Sequence, residues 1–421
     1  MSAFTTRPIG TPAGIGDGAT ATNPLSIVLL SWRDSGHPEG GGSELYSETI
    51  AAGLAAQGHT VTMLTARYPG SAKQDVVDGY RVIRGGSRFS VYLWALARLL
   101  LRRVGRVGRV GRVDVVVDVQ NGTPFFARLV TRTPVVVLCH HVHREQWGIA
   151  FGHARMGRVL ARLGWWVESW LAPRVQRGCR YVTVSEVSRR DLVALGVRPE
   201  NITIVHNGTP PAMPGAVRSG VPEIVVLGRL VPHKRVEHAV RAVHALAEQL
   251  PELRLTVIGQ GWWSEHLREE VVRLGLEGRV ELTGHVEEAR KHELLGRAWV
   301  LATPSVMEGW GLCVVEAATH GTPAVAYRSA GGIAESIVDG VTGLLTDDDE
   351  QAFTQALREL LGDQQLRTRM GAAARDHAEL FTHDASVRAF ASVLLRATGR
   401  VAETDLRLPK ARPSADADHL V

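Results

Sequence analysis

Short runs of apolar, mostly β-branched residues recur along the chain, with helical stretches between them. In the first half they are LSIVLLS (25–31), HTVTMLTA (59–66), YRVIRG (80–85), DVVVDV (114–119), PVVVLC (134–139), RYVTVS (180–185) and NITIVHNG (201–208). Their apolar character is continuous rather than alternating, which marks strands buried on both faces of a helix-covered parallel sheet. TPPAMPGAVRSGVP (209–222) breaks the pattern with Pro and Gly and reads as a linker. The runs then restart as EIVVLGR (223–229), LRLTVIG (253–259), RVELTG (279–284), WVLATPS (299–305), PAVAYR (323–328) and TGLLT (342–346). Two or three helices follow, from Gln351 to about Thr398.

The pattern predicts an α/β fold of two tandem, doubly wound, Rossmann-like domains with a cleft between them. Residues 25–208 form the first and 223–380 the second, with loose tails at 1–24 and 401–421. A helix within 381–400 is expected to pack back on the first domain. In such a pair, ligand sites lie at the carboxyl ends of strands, facing the cleft.

Length agrees, since 421 residues exceed one ordinary core and fit two domains of roughly 150–200 residues each. Apolar content of 45% and charge of 22% are ordinary for a soluble chain. No run approaches the ~18 uninterrupted apolar residues of a membrane span. Cys139, Cys179 and Cys313 have neither metal-ligand nor disulfide-framework spacing, and a reducing cytosol is the expected home.

The net charge of +5 matters less than its distribution, because Arg concentrates between about Arg81 and Arg190. SVYLWALARLLLRRVGRVGRVGRVD (90–114) starts as a cationic amphipathic helix and runs into a GRV triplet repeated three times. The stretch 154–180 sets Trp165, Trp166 and Trp170 among arginines. Two readings compete: a helix lying on an anionic membrane surface, or a sheet-covering helix with its Trp face in the core. No nucleic-acid motif appears, so nucleic acid is not an expected partner.

Candidate chemistry gathers on loops at strand ends. EGWGLCVVE places Glu308 on a loop and Glu316 one turn inside a helix opening near Leu312. Glycines and the free amides of that helix start (Gly311, Leu312, Cys313) suit a phosphate, and two acids suit sugar or ribose hydroxyls. GRLVPHKR puts Gly228, Arg229 and Lys234 after the second domain's first strand, a set suited to a pyrophosphate. IGQGWW adds Gly259 and Gly261 at the same edge, and ELTGHV adds Gly284 and His285, where a planar base could meet the backbone. In the first domain, Gly40, Gly41 and Gly42 precede a helix opening at Ser43, an anion or hydroxyl site on the acceptor side.

This set resembles the retaining glycosyltransferases of family 4, of the GT-B fold. Two glutamates with seven residues between them, the GR…K loop, and the segments VTVSE (182–186), IVHNG (204–208) and AESIVDGVTGLL (334–345) carry the resemblance over about 25–395. It implies transfer of a hexose from a nucleoside diphosphate sugar such as GDP-mannose or UDP-glucose to a lipid, glycan or small-molecule acceptor. Glu308 would contact the donor sugar and Glu316 the ribose, with Gly228, Arg229 and Lys234 on the diphosphate. A His at the strand end of CHHVHREQW would face the donor sugar. His140 is the best match, although the family often has Asp where this chain has His141.

A zinc site at His140, His141 and His143 is a competing, less favoured reading. No Asp-x-Asp stands at a strand end as a metal holder. TDDDEQ (346–351) reads as a helix cap, so neither metal nor cofactor is expected. Competing functions are a GT-B phosphorylase or epimerase, and a nucleotide-sugar-binding protein without turnover. The expected location is cytoplasmic, with peripheral contact to the inner face of the membrane.

Overall fold

A computed structural model describes residues 24–38, 40–101, 113–143 and 155–400. The GRV repeat and the tails at 1–23 and 401–421 lie outside them. Among the described residues, fourteen strands fall into two sheets. The first holds β1 (Ser26–Leu30), β2 (Thr60–Thr65), β3 (Gln74–Val77), β4 (Tyr80–Arg84), β5 (Val115–Gln120), β6 (Val135–Cys139), β7 (Arg180–Thr183) and β8 (Ile202–Ile204). The second holds β9 (Glu223–Leu227), β10 (Arg254–Ile258), β11 (Val280–Gly284), β12 (Val300–Thr303), β13 (Ala324–Tyr327) and β14 (Gly343–Thr346).

Strands occupy the apolar runs because Val, Ile and Leu there are buried on both faces, as Val115–Val117 and Val135–Leu138 show. The first sheet has the order β3-β4-β2-β1-β5-β6-β7-β8, the second β11-β10-β9-β12-β13-β14. All pairs are parallel except β3 with β4. β3 is the strand that the pattern did not predict: QDVV is an exposed edge with no apolar run.

Strand order reverses between β1 and β5 in one sheet and between β9 and β12 in the other. Chains leaving a sheet in opposite directions open a crevice there, at the carboxyl ends of the strands. The loops after β9 and β12 carry Arg229, Lys234 and Glu308; the loop after β1 carries Gly40, Gly41 and Gly42.

The final helix, His383–Ala397, buries Val387, Phe390 and Leu394 in the first sheet's core, against the helix Gly42–Ala56. Other contacts also cross between the sheets. The Glu335 carboxylate accepts the amides of Glu186 and Val187 at 2.7 and 2.6 Å, capping the helix Glu186–Ala194 of the first domain. Trp310 is 3% exposed, stacked on His206 at 4.1 Å and edge-on to Phe381, with Val184 beside it.

The helix Arg155–Trp166 continues through a π-turn, Val167–Leu171, into Ala172–Val175. Gly157, Glu168 and Ala172 are buried, whereas Leu163, Trp165, Trp166 and Trp170 are 53, 45, 42 and 44% exposed. The tryptophans of this stretch are therefore not core, whereas the helix Ser90–Leu100 buries Val91, Ala95 and Leu99, with Trp94 packed beside them, and does cover the first sheet. Gly157, Ala172 and the carboxylate of Glu168 face the domain, and large apolar residues face out. Among the described residues, no helix is long and apolar enough to cross a membrane.

Candidate active site

After β9 the chain turns at Gly228 and closes a short 3-10 turn, Pro232–Lys234. That turn brings Lys234 back to the carboxyl edge, where its ammonium pairs with the Glu308 carboxylate. The Ser305 hydroxyl donates to the same carboxylate oxygen at 2.8 Å. The Val306 amide donates to the His233 carbonyl at 2.8 Å, so the two loops are fastened by backbone as well. Burial would push the Glu308 carboxyl up, but the ammonium of Lys234 and the Ser305 hydroxyl outweigh it and hold it below the usual range. Burial likewise opposes the charge on Lys234, and Glu308 overcomes it. Arg229, exposed, shares one pocket with Gly228, Lys234, Thr303, Pro304 and Ser305.

Gly311 caps the helix Leu312–Thr319 at φ 93°, a left-handed conformation that favours glycine. A Cβ there would lie 2.5 Å from Ile333 Cγ1 and 2.8 Å from Ser336 Oγ, so only glycine fits. The Val314 amide bonds the Gly311 carbonyl at 2.9 Å, and the first-turn amides of Leu312 and Cys313 carry the positive end of the helix. Burial pushes the Cys313 thiol up to about 12, so it stays neutral. One turn on, Glu316 is 8% exposed and accepts Lys291 Nζ at 2.7 Å. Burial raises its carboxyl and Lys291 only partly counters this.

Loops after β9, β10 and β11 meet backbone to backbone. The Gly228 amide donates to the Ile258 carbonyl at 3.0 Å, and the Gly259 amide to the Gly284 carbonyl at 2.9 Å. A Cβ on Gly259, at φ 133°, would fall 1.9 Å from the Gly228 carbonyl oxygen. Gly261 lies equally close to Leu230. His285 stands exposed just past the end of β11.

In the first domain, Gly40, Gly41 and Gly42 lead into the helix Gly42–Ala56. Glu44 fixes that turn by accepting the Gly41 amide and Asn121 Nδ2, both at 2.9 Å, and by pairing with Arg33. Leu312 Cδ2 of the second domain lies 4.0 Å from where a Gly42 Cβ would be, so the two helix starts face each other across the cleft. His140, 5% exposed, packs edge-on to Tyr46 at 5.2 Å, and its Nε2 has no hydrogen-bond partner. Burial, then the neighbouring His141, lowers its pKa from 6.5 to about 3. The imidazole is neutral.

Gly309 sits against the His140 carbonyl, 2.9 Å from where its Cβ would be, which joins the His140 strand end to the Glu308 loop. His141 stacks on His143 at 4.1 Å, and the His143 amide donates to Glu168 at 2.8 Å. Among the described residues, no group of three or more His, Cys, Asp or Glu is placed to hold a metal. Asp349 accepts the Ala352 amide at 2.7 Å, capping the helix Glu350–Gly362.

The structure thus gathers Lys234, Arg229, Glu308, Gly311, Leu312, Cys313 and His140 around one cleft, with Glu316 one turn deeper. Sequence reasoning missed Ser305, Lys291, Asn121 and Glu335. Ser305 stood three residues before Glu308 in a turn; the others find their partners only through the fold.

Two doubly wound domains with a polar cleft at both switch points define a GT-B glycosyltransferase. Residues 40–212 match the model for Glycosyltransferase Family 4, and residues 215–377 that for Glycosyl transferases group 1. The chain belongs to family 4. A D-inositol 3-phosphate glycosyltransferase of Streptomyces avermitilis is 34% identical over 190 residues, covering 42% of this chain and 41% of that one. The match therefore spans less than half of either protein. A glycogen synthase of Mycobacterium tuberculosis is 27% identical over 415 residues, 91% of this chain and 98% of that one. The Anabaena protein HepE, solved with UDP and glucose, shares the fold with a TM-score of 0.67 at 18% identity, covering 88% of this chain and 100% of that one.

The state of His140 has a measurable consequence. The unfolded chain takes a proton near pH 6.5 that the folded one refuses until about 3. Stability therefore falls as pH drops from about 7 to 5. His140→Asn removes that contribution, making the slope shallower by up to about 1.4 kcal/mol per pH unit. Urea denaturation across this range measures it, and an unchanged slope would place a protonated imidazole in the folded state.

Proposed function

We propose that the protein is a retaining hexosyltransferase that uses a nucleoside diphosphate sugar as donor and a lipid, glycan or small-molecule acceptor. The observation that carries this reading is the Lys234–Glu308 pair, set beside Arg229 and a Gly311-capped helix start at the switch point of the second sheet. Cations and helix amides there match a diphosphate, and two carboxylates match hydroxyls on either side of it. UDP and glucose bound to HepE support a nucleotide sugar as the ligand.

In this reading Arg229, Lys234 and the amides of Gly311, Leu312 and Cys313 take the charge that builds on the leaving diphosphate. This electrostatic preorganisation does what a divalent metal does elsewhere, so transfer is metal-independent. Glu308 holds the donor sugar and Glu316 the ribose, while Gly228, Gly259, Gly261 and His285 border the nucleotide. The neutral His140 can accept a hydrogen bond from the transferred sugar or donate one to it, without bringing a competing positive charge. The acceptor enters beside Gly40, Gly41, Gly42 and His141 and attacks the face that the diphosphate leaves, through an oxocarbenium-like state. The sugar then keeps its anomeric configuration.

The test is a panel of UDP- and GDP-sugars, watched for released nucleoside diphosphate with and without EDTA. One donor should turn over at the same rate in both. Glu308→Ala abolishes that turnover in a folded protein, and Arg229→Ala or Lys234→Ala each lowers kcat/KM by about tenfold to a hundredfold. Wild-type rates in the Glu308 and Lys234 variants would overturn the assignment.

The outward face of the helix Arg155–Trp166 supports an anionic membrane surface as a further partner. Leu163, Trp165, Trp166 and Trp170 project beside Arg158, Arg162 and Arg174, a combination suited to acyl chains below and lipid phosphates around. Arg102, Arg103, Arg106, Arg109 and Arg112 of the GRV region lie outside the described residues. Sedimentation with phosphatidylglycerol-rich vesicles should be strong at low salt, weaker at high salt and absent with neutral vesicles. Replacing Trp165, Trp166 and Trp170 by Ser should reduce it and leave donor hydrolysis intact. Equal partition to both vesicle types, or to neither, would exclude a membrane role for this face.

A further inference from the structure

Lys291 belongs to no motif, yet, like Lys234 on Glu308, it pairs with an acid of the cleft. It sits on the helix Glu288–Arg297, and its side chain is 12% exposed. Its ammonium donates to Glu316 Oε1 at 2.7 Å and to Glu288 at 2.9 Å. Among the described residues, Glu316 Oε2 makes no hydrogen bond. A carboxylate held by one oxygen keeps a fixed rotamer and offers the other oxygen, with its lone pairs, to a hydroxyl donor.

We propose that Lys291 is a positioning residue for the donor nucleoside: it fixes Glu316 as a carboxylate with one oxygen engaged and the other presented to the ribose hydroxyls. This rests on the reading that Glu316 meets the ribose. Lys291 itself does not touch the nucleotide; it acts through Glu316. The neighbourhood fits the role. Lys291 and Glu288 face Glu316 from one helix, the neutral Cys313 thiol lies on the same helix as Glu316, and His383 on the last helix faces the Lys291–Glu288 pair. His292 and His320, whose rings bond each other at 2.8 Å, are both held below the ordinary histidine range by burial first and by nearby charge, Lys291 included. Lys291 is thus the one cation shown acting on Glu316 among these groups.

The probes are whichever of UDP and GDP binds the intact protein more tightly, and its 2′,3′-dideoxy analogue, titrated by calorimetry. Lys291→Met should weaken the ribonucleotide about tenfold, the loss of a charge-assisted arrangement, and leave the dideoxy analogue within about twofold. Lys291→Arg should retain most of the affinity. The pH profile supplies a readout that a merely structural role would not move. Without the ammonium, burial and Glu288 both push the Glu316 carboxyl up, so the variant carries a proton there that it loses as pH rises. Ribonucleotide affinity of Lys291→Met should therefore improve as pH rises, while the dideoxy analogue stays flat.

Equal weakening of both nucleotides, or of neither, overturns the role of Lys291. Glu316→Ala separates the two ideas. If it discriminates ribose from dideoxyribose as well as the wild type does, the ribose reading itself fails. If it loses the discrimination and Lys291→Met keeps it, only the inference about Lys291 is overturned.

Discussion

Two carboxylates at the ends of nine residues, Glu308 half-buried and Glu316 buried, need two cations, and the rest of the cleft is arranged around supplying them. Glu308 takes Lys234 from the loop after β9; Glu316 takes Lys291 from the helix before β12. For the more deeply buried Lys291–Glu316 pair, removing one partner leaves an uncompensated charge, typically a loss of about 3–5 kcal/mol. Lys234 reaches Glu308 only because Pro232–Lys234 closes a tight turn, and that turn is fastened to the β12 loop through His233 and Val306. The ion pair, the loop shapes and the position of Gly311 therefore form one constraint. Under the proposed function, a donor diphosphate meets a lysine already aimed at the cleft and a glutamate already ionised.

The second constraint is the contact between domains. Trp310 lies inside the EGWG turn and is buried in a shared cluster with His206, Phe381 and Val184. Glu335 adds a carboxylate on the first-turn amides of the Glu186–Ala194 helix, where the helix dipole favours negative charge. Together they set how the Glu308 loop meets His140. One short turn thus serves both the candidate chemistry and the domain interface.

Much of this was legible in the chain. Thirteen of the strands follow apolar runs, because burial on both faces of a parallel sheet requires apolar residues at every position. The loop residues were legible because chemistry needs particular side chains at strand ends, as at Arg229, Lys234 and Glu308. β3 was not, since an exposed edge hairpin imposes no apolar pattern. Lys291 and Glu335 were not either. Their partners lie 25 and 149 residues away, and a lone Lys or Glu on a helix carries no local signal of what the fold brings against it. The tryptophans of 165–170 allowed two orientations, and the fold decides between them by burying Gly157, Glu168 and Ala172 on the inward face.

The most direct measurement is a crystal structure of the protein with an intact nucleoside diphosphate sugar. The account predicts the diphosphate between Lys234 and the Leu312 and Cys313 amides, the sugar against Glu308 and the ribose against Glu316. A nucleotide bound in the first domain, or one whose phosphates lie away from Lys234 with the Lys234–Glu308 pair undisturbed, would contradict it.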